Sequence, residues 1–178
     1  RASSDDDSVG VGDGYWYFWK DVGEKSIGKV QQWNGNAGAV VRAWAFYRRY
    51  GRDLVKMSEH AVLNSNYLRH KIMNPDPEVA KRIHCMPSEG AKTELVMHEF
   101  TLSMSPVKNL NGVTGKDVAK RLLDYGYMSP TLYFPQIVPE CLMIEPTETE
   151  SKEVLDKFAS DLHEVLSEDP EMLTSAPH

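Results

Sequence analysis

Residues 36–50 set the tightest constraint on how this chain can fold. Ala37, Ala39, Val40, Val41, Ala43, Trp44, Ala45, Phe46 and Tyr47 give a helix over this stretch little polar face. A helix apolar nearly all round belongs inside a large core rather than on a surface. Arg42 sits in its middle. A charge carried into such surroundings needs a carboxylate or a carbonyl, because a buried unpaired charge is strongly destabilising.

The rest of the pattern supplies a partner for that helix. A second helix over 53–72 carries Leu54, Met57, Ala61, Asn64, Leu68 and Ile72 at three- and four-residue steps. Asn74-Pro75-Asp76-Pro77 then breaks the chain, and 74–90 reads as a crossover. Over 96–103 the period changes to two, with Val96, His98, Phe100 and Leu102 on one side, which predicts a strand. Thr114 is placed to cap a helix over 114–125 whose apolar stripe is Val118, Ala119, Leu122 and Leu123, with Gly126 as its stop. Strands are predicted over 131–134 and 141–145. A last helix over 149–166 carries Val154, Leu155, Phe158, Leu162, Val165 and Leu166, with Thr147 and Glu150 at capping-box spacing.

At the front, 9–19 reads as a hairpin: Asp13-Gly14 suits a type I′ turn, and Tyr15 to Trp19 is strongly β-prone. Gly10, Gly12 and Gly14 lack the strand-then-helix setting of a phosphate loop, so turn chemistry accounts for them. Residues 1–8 and 169–178 read as tails, leaving 9–168 as one α+β domain. Its expected architecture is a small, mainly antiparallel sheet with helices on one face.

The net charge of −6 argues against a domain that tracks nucleic-acid phosphates. Arg48, Arg49 and Arg52 read as a solvated helix end. No apolar run reaches the roughly 18 residues a membrane helix needs, and no signal peptide is read. Cys85 and Cys141 have no metal-ligand spacing and suggest free thiols in a reducing cytoplasm. A chain opening on Arg1 rather than Met is expected of a fragment or a processed product.

Five ordered blocks carry a family resemblance: SIGKV at 26–30, NGNAGAVVRAWAFYR at 34–48, AVLNSNYL at 61–68, MHEFTLS at 97–103, and the run from AKRLLDYGY at 119 through YFP to EPTETESKEVLDKF, ending at 158. Together they resemble the glycine-decarboxylating P-protein family (glycine dehydrogenase, decarboxylating) over roughly 14–177. The form PQIVPECLMIEPTETESKE is most similar to the C-terminal end of subunit 2 of the two-subunit type. The resemblance implies the small domain of a fold-type-I pyridoxal phosphate enzyme that decarboxylates glycine and passes the aminomethyl group to the lipoyl arm of the H-protein. Its implied partners are subunit 1, the cofactor-binding domain and the H-protein. The family's His-Lys-Thr segment, which carries the cofactor lysine, has no counterpart among the twelve lysines here. The accompanying glycine-rich stretch is also missing. No catalytic or cofactor-binding residue is therefore expected in this chain, and none of the cofactor is expected bound to it.

Three residues are candidates for a substrate pocket. His98 adjoins Glu99, as a general base or a metal ligand would. The stretch is not His-Glu-x-x-His, so a zinc reading fails for want of a second ligand, and an inward-facing core histidine is the plainer alternative. In the resemblance the pair lies near the cofactor cleft. Arg42 could meet a substrate carboxylate or form a structural salt bridge, and Glu145 closes a strand where cleft residues gather. Tyr133-Phe134-Pro135 reads as core packing, and His84-Cys85 as neighbours pointing apart. A hydrolase built on His98, Glu99 and Cys85 lacks an activated nucleophile. A non-catalytic interaction module derived from this domain is the competing reading. With the flank of the 36–50 helix uncovered, the isolated chain is expected to form a homodimer.

Overall fold

The computed structural model describes residues 9–11, 15–17, 24, 27, 35–86 and 95–178, with no side chains described at 9–11, 15–17 and 84–86. The Asp13-Gly14 turn, the 1–8 tail, Phe18, Trp19 and the SIGKV block apart from Ile27 lie outside the described residues, as do the side chains of His84 and Cys85. The chain divides into two compact units, Arg1–Arg49 and Tyr50–His178.

In the first, β1 (Val9–Val11) pairs antiparallel with β2 (Tyr15–Tyr17), Val9 opposite Tyr17. Helix α1 (Ala37–Tyr50) begins where the Asn36 side chain accepts from the Ala39 amide at 3.2 Å. None of its residues is buried, and Val40, Val41, Trp44 and Tyr47 are 63%, 61%, 63% and 61% exposed. This corrects the expectation of an interior helix. The buried apolar cluster of the second unit takes its members from Leu68 onward. Arg42 is exposed too, and the argument that burial forces a partner on it falls away.

The second unit runs from a 3₁₀ turn (Gly51–Asp53) into α2 (Leu54–Ile72), then α3 (Pro77–Ala80), β3 (His84–Met86), β4 (Phe100–Ser103), α4 (Ser105–Asn111), α5 (Gly115–Asp124), β5 (Thr131–Leu132), β6 (Cys141–Ile144), α6 (Lys152–Val165) and α7 (Pro170–Ser175). The sheet is antiparallel, in the order β3-β4-β6-β5. Pairing of Phe100 with Ile144 and of Leu102 with Leu142 puts four buried side chains on one face. They share a single cluster with helix positions at helical spacing: Leu68 and Ile72 of α2, Val118 and Leu122 of α5, Leu155 and Leu162 of α6. Each such side chain removed from water contributes about 1.5–3 kcal/mol. The fold is α+β, a small antiparallel sheet whose apolar face is covered by helices.

Helix α5 is bounded as its sequence predicts. Thr114 and Asp117 form a reciprocal capping box, and Gly126 follows at φ 85°. Three expectations change. Residues 169–178 are not a tail: Asp169 caps α7 through the Glu171 amide, Leu173 is buried, and the His178 amide donates to Asp124 at 2.8 Å. Arg121 reinforces this end, gripping Glu168 at 2.8 and 2.9 Å and Asp124 at 3.0 Å. That grip holds the Glu168 carboxyl below its ordinary range. The crossover at 74–90 contains α3 and the edge strand β3, and α4 adds about two turns of helix before α5. The strand predicted at 131–134 ends at Leu132, because Tyr133 takes a left-handed φ of 57° that extended pairing excludes.

The last helix starts later than predicted. Ser151, not Thr147, caps α6, its hydroxyl accepting from the Val154 amide at 3.4 Å, while the Thr147 hydroxyl pairs with that of Thr149 at 2.7 Å. Ser151→Ala is expected to cost about 1 kcal/mol in urea denaturation and Thr147→Ala less than half of that. A larger loss from Thr147→Ala would return the cap to Thr147.

Candidate functional site

Two asparagines on α2 place the segments that carry the candidate residues. The Asn66 carboxamide bonds both backbone groups of Val96: the Val96 amide donates to Oδ1 at 2.9 Å, and Nδ2 donates to the Val96 carbonyl at 2.7 Å. It takes the part a neighbouring strand would take, and so the chain at 96–99 stays outside the sheet. The strand predicted over 96–103 is therefore confined to Phe100–Ser103. Two residues earlier, Asn64 Nδ2 donates to the carbonyls of Thr147 at 2.8 Å and Glu150 at 3.1 Å, pinning the chain beyond β6.

The β4–β6 register does the rest. With Phe100 opposite Ile144, the residues just before Phe100 meet those just after Ile144. His98 Nε2 lies 3.7 Å from Glu145 Oε1 and 3.8 Å from Glu99 Oε2, at side-chain exposures of 55%, 53% and 41%. The inward-facing alternative for His98 is thereby corrected: Phe100 enters the core, whereas His98 turns outward at a bend before the strand. Two of the three candidates come together. Arg42 belongs to α1.

Glu145 also lines a cleft of about 620 Å³. Met143 and Ile144 form its sheet wall, Leu68 comes from α2, Val154, Leu155 and Phe158 from α6, and residues 126–131 close one side. Tyr127 and Phe158 stand edge to face with centroids 5.0 Å apart. The Tyr127 hydroxyl donates to Asp161 at 2.6 Å, and burial together with that acceptor raises its pKa. The charged lining consists of Glu145 and Glu150, with no Lys or Arg among the lining residues. A phosphate-bearing cofactor does not fit such a cleft, because a dianion would meet two carboxylates and no cation. Lys56, Lys71, Lys81, Lys108, Lys120, Lys152 and Lys157 are each paired with an Asp or Glu elsewhere.

Other expectations resolve simply. Tyr133 and Phe134 are 48% and 57% exposed, so they are not core packing. Cys141 is a free, buried thiol that donates to the Phe134 carbonyl at 3.0 Å, and burial raises its pKa. Among the described residues, no helix is long and apolar enough to cross a membrane. The residues that sequence reasoning missed are Asn64 and Asn66 as supports and Tyr127, Glu150 and Phe158 as cleft lining. The one available signal was the Asn64-Ser65-Asn66 run, a set of poor helix formers in mid-helix.

Residues 57–176 match the family described as glycine dehydrogenase, C-terminal domain. The chain is 40% identical over 170 residues to a probable glycine dehydrogenase (decarboxylating) subunit 2 of Coxiella burnetii, covering 93% of this chain and 33% of the relative. Proteins of the same description from Nitrosomonas eutropha and Methylococcus capsulatus are 43% and 42% identical, covering 92% and 94% of this chain and 32% and 33% of theirs. The chain thus spans about a third of the length of the curated relatives it matches.

Removing the Asn66 carboxamide leaves two backbone groups of Val96 without their partner. Asn66→Ala is expected to lower stability by about 2 kcal/mol in urea denaturation. A loss within about 0.5 kcal/mol, the range of an ordinary surface substitution, would show that the clamp does not hold this segment.

Proposed function

This chain belongs to the glycine dehydrogenase C-terminal domain family, and from that premise we propose that it is the C-terminal part of a glycine-decarboxylating P-protein of the glycine cleavage system. The complete enzyme would decarboxylate glycine and hand the aminomethyl group to the lipoyl arm of the H-protein. The match of residues 57–176 to the family carries this reading. Pyridoxal phosphate would be held by the part of the enzyme outside this chain, a reading supported by the acidic cleft and the paired lysines. This chain alone is then inactive. Its share of the work is to supply the rim on which His98 and Glu145 meet, and those two side chains would border the substrate's path in the assembled enzyme. Arg42 would pair with a carboxylate of the surface that covers α1. The partners are that cofactor-binding part, subunit 1 and the H-protein, in the cytoplasm.

The competing reading, an interaction module without a catalytic partner, finds support in the bare apolar side chains of α1. The two readings separate in a chimera. The chain replaces the matching third of the Coxiella burnetii subunit 2, and transfer of label between bicarbonate and the glycine carboxyl is measured with subunit 1, the H-protein and pyridoxal phosphate present. Exchange by the chimera, none by the chain alone, and at least a tenfold loss on His98→Ala with the fold retained are expected. A folded, cofactor-loaded chimera without exchange, or exchange by the chain alone, would contradict the proposal.

The exposed apolar side chains of α1 give the isolated chain a reason to find a substitute cover in a second copy. Sedimentation is expected to show a dimer that Trp44→Glu converts to a monomer. A monomeric wild type that binds no hydrophobic dye would show that no cover is needed.

A further inference from the structure

The sequence offers His98-Glu99 as half of a metal motif and withholds the rest. The fold supplies it from 46 positions beyond Glu99, through the antiparallel register that brings Glu145 alongside. The ligand atoms of His98, Glu99 and Glu145 all lie within 4.8 Å of one another.

Electrostatics sets this cluster apart from the other close carboxylates. Asp156 is met by Lys152 and Lys71, Asp161 by Lys157, Glu140 by Lys108 and Glu168 by Arg121. Among the described residues, Glu99 and Glu145 converge on His98 with no Lys or Arg between them. Two carboxylates held around one imidazole without a protein cation make a place that favours an added one.

We propose that His98, Glu99 and Glu145 form a three-donor site for a divalent transition cation, with Zn²⁺ the preferred ion and a fourth position open to solvent. One imidazole nitrogen and two carboxylate oxygens is a donor set that zinc accepts, at about 2.0–2.2 Å each. Tetrahedral bonds of that length put the donor atoms about 3.3–3.5 Å apart. The separations of 3.7 and 3.8 Å from Nε2 need to close by a few tenths of an ångström, and the two carboxylate oxygens, within 4.8 Å of each other, by up to about 1.5 Å. All three side chains are exposed enough to make that shift without disturbing the core. The backbone that carries them is anchored on both sides, at Val96 by Asn66 and at Thr147 and Glu150 by Asn64. The site therefore starts partly organised. Because Glu145 also lines the cleft, the cation site and the cleft share a side chain.

The test is a calorimetric titration of Zn²⁺ into the chelator-treated chain, with Co²⁺ absorption as the geometric readout and circular dichroism confirming the fold of each variant. One ion per chain is expected, with a tetrahedral Co²⁺ spectrum. His98→Ala and, independently, Glu145→Gln should each weaken binding at least about tenfold. His60→Ala, which removes an exposed histidine on α2, should leave it unchanged. No saturable binding up to about 1 mM Zn²⁺, or equal affinity in the wild type and His98→Ala, would overturn the site.

Discussion

The carboxamides of Asn64 and Asn66 are the interactions on which the candidate site depends. Each reaches from α2 to backbone groups far away in sequence, Asn66 to Val96 and Asn64 to Thr147 and Glu150. Those segments flank β4 and β6, where the sheet runs out of regular pairing. A backbone group without a strand partner or water must find a side chain. Here one helix supplies both side chains, and the two strand ends are held in place beside each other. The meeting of His98 with Glu145 follows from this and from the β4–β6 register.

The same arrangement explains the character of the cleft. Its floor is what the core leaves over at the end of the sheet, Leu68, Ile144 and Leu155, while the acids Glu145 and Glu150 come from the pinned loop. An apolar floor with an acidic rim and no basic residue repels phosphate and attracts cations. Among the described residues, Lys71, Lys108, Lys152, Lys157 and Arg121 are paired with other carboxylates, most firmly where Arg121 joins α5 to Glu168. The domain thus separates a neutralised, tightly tied face around α5 and α7 from a rim that keeps its negative charge.

Much of the fold was legible because short-range chemistry agreed with the tertiary structure. Thr114 and Gly126 marked the ends of α5, and the period-two run correctly flagged a strand through Phe100. Where the reading failed, a particular long-range contact outweighed the local pattern. Alternation from Val96 onward looked like strand, yet Asn66 captures Val96 first. The Thr147 and Glu150 spacing looked like a cap, yet Asn64 holds the carbonyls of both residues and Ser151 takes the helix start. The apolar run of α1 read as interior and is bare, because periodicity reports what a helix could bury and not whether cover is present. His98 and Glu145 were legible as chemistry; their meeting was not, since it needs the register of two strands that sequence alone does not give.

Helix α2 holds the site by side-chain capture of backbone, and amide hydrogen exchange reads that capture directly. Val96 lies outside the sheet, so its amide has no ladder partner and its hydrogen bond is the one it donates to Asn66. In the wild type the Val96 amide is expected to exchange slowly. In Asn66→Ala it should exchange at the rate of an open loop while the Leu102 amide, within β4, keeps its protection. A Val96 amide that exchanges freely in the wild type would contradict the account.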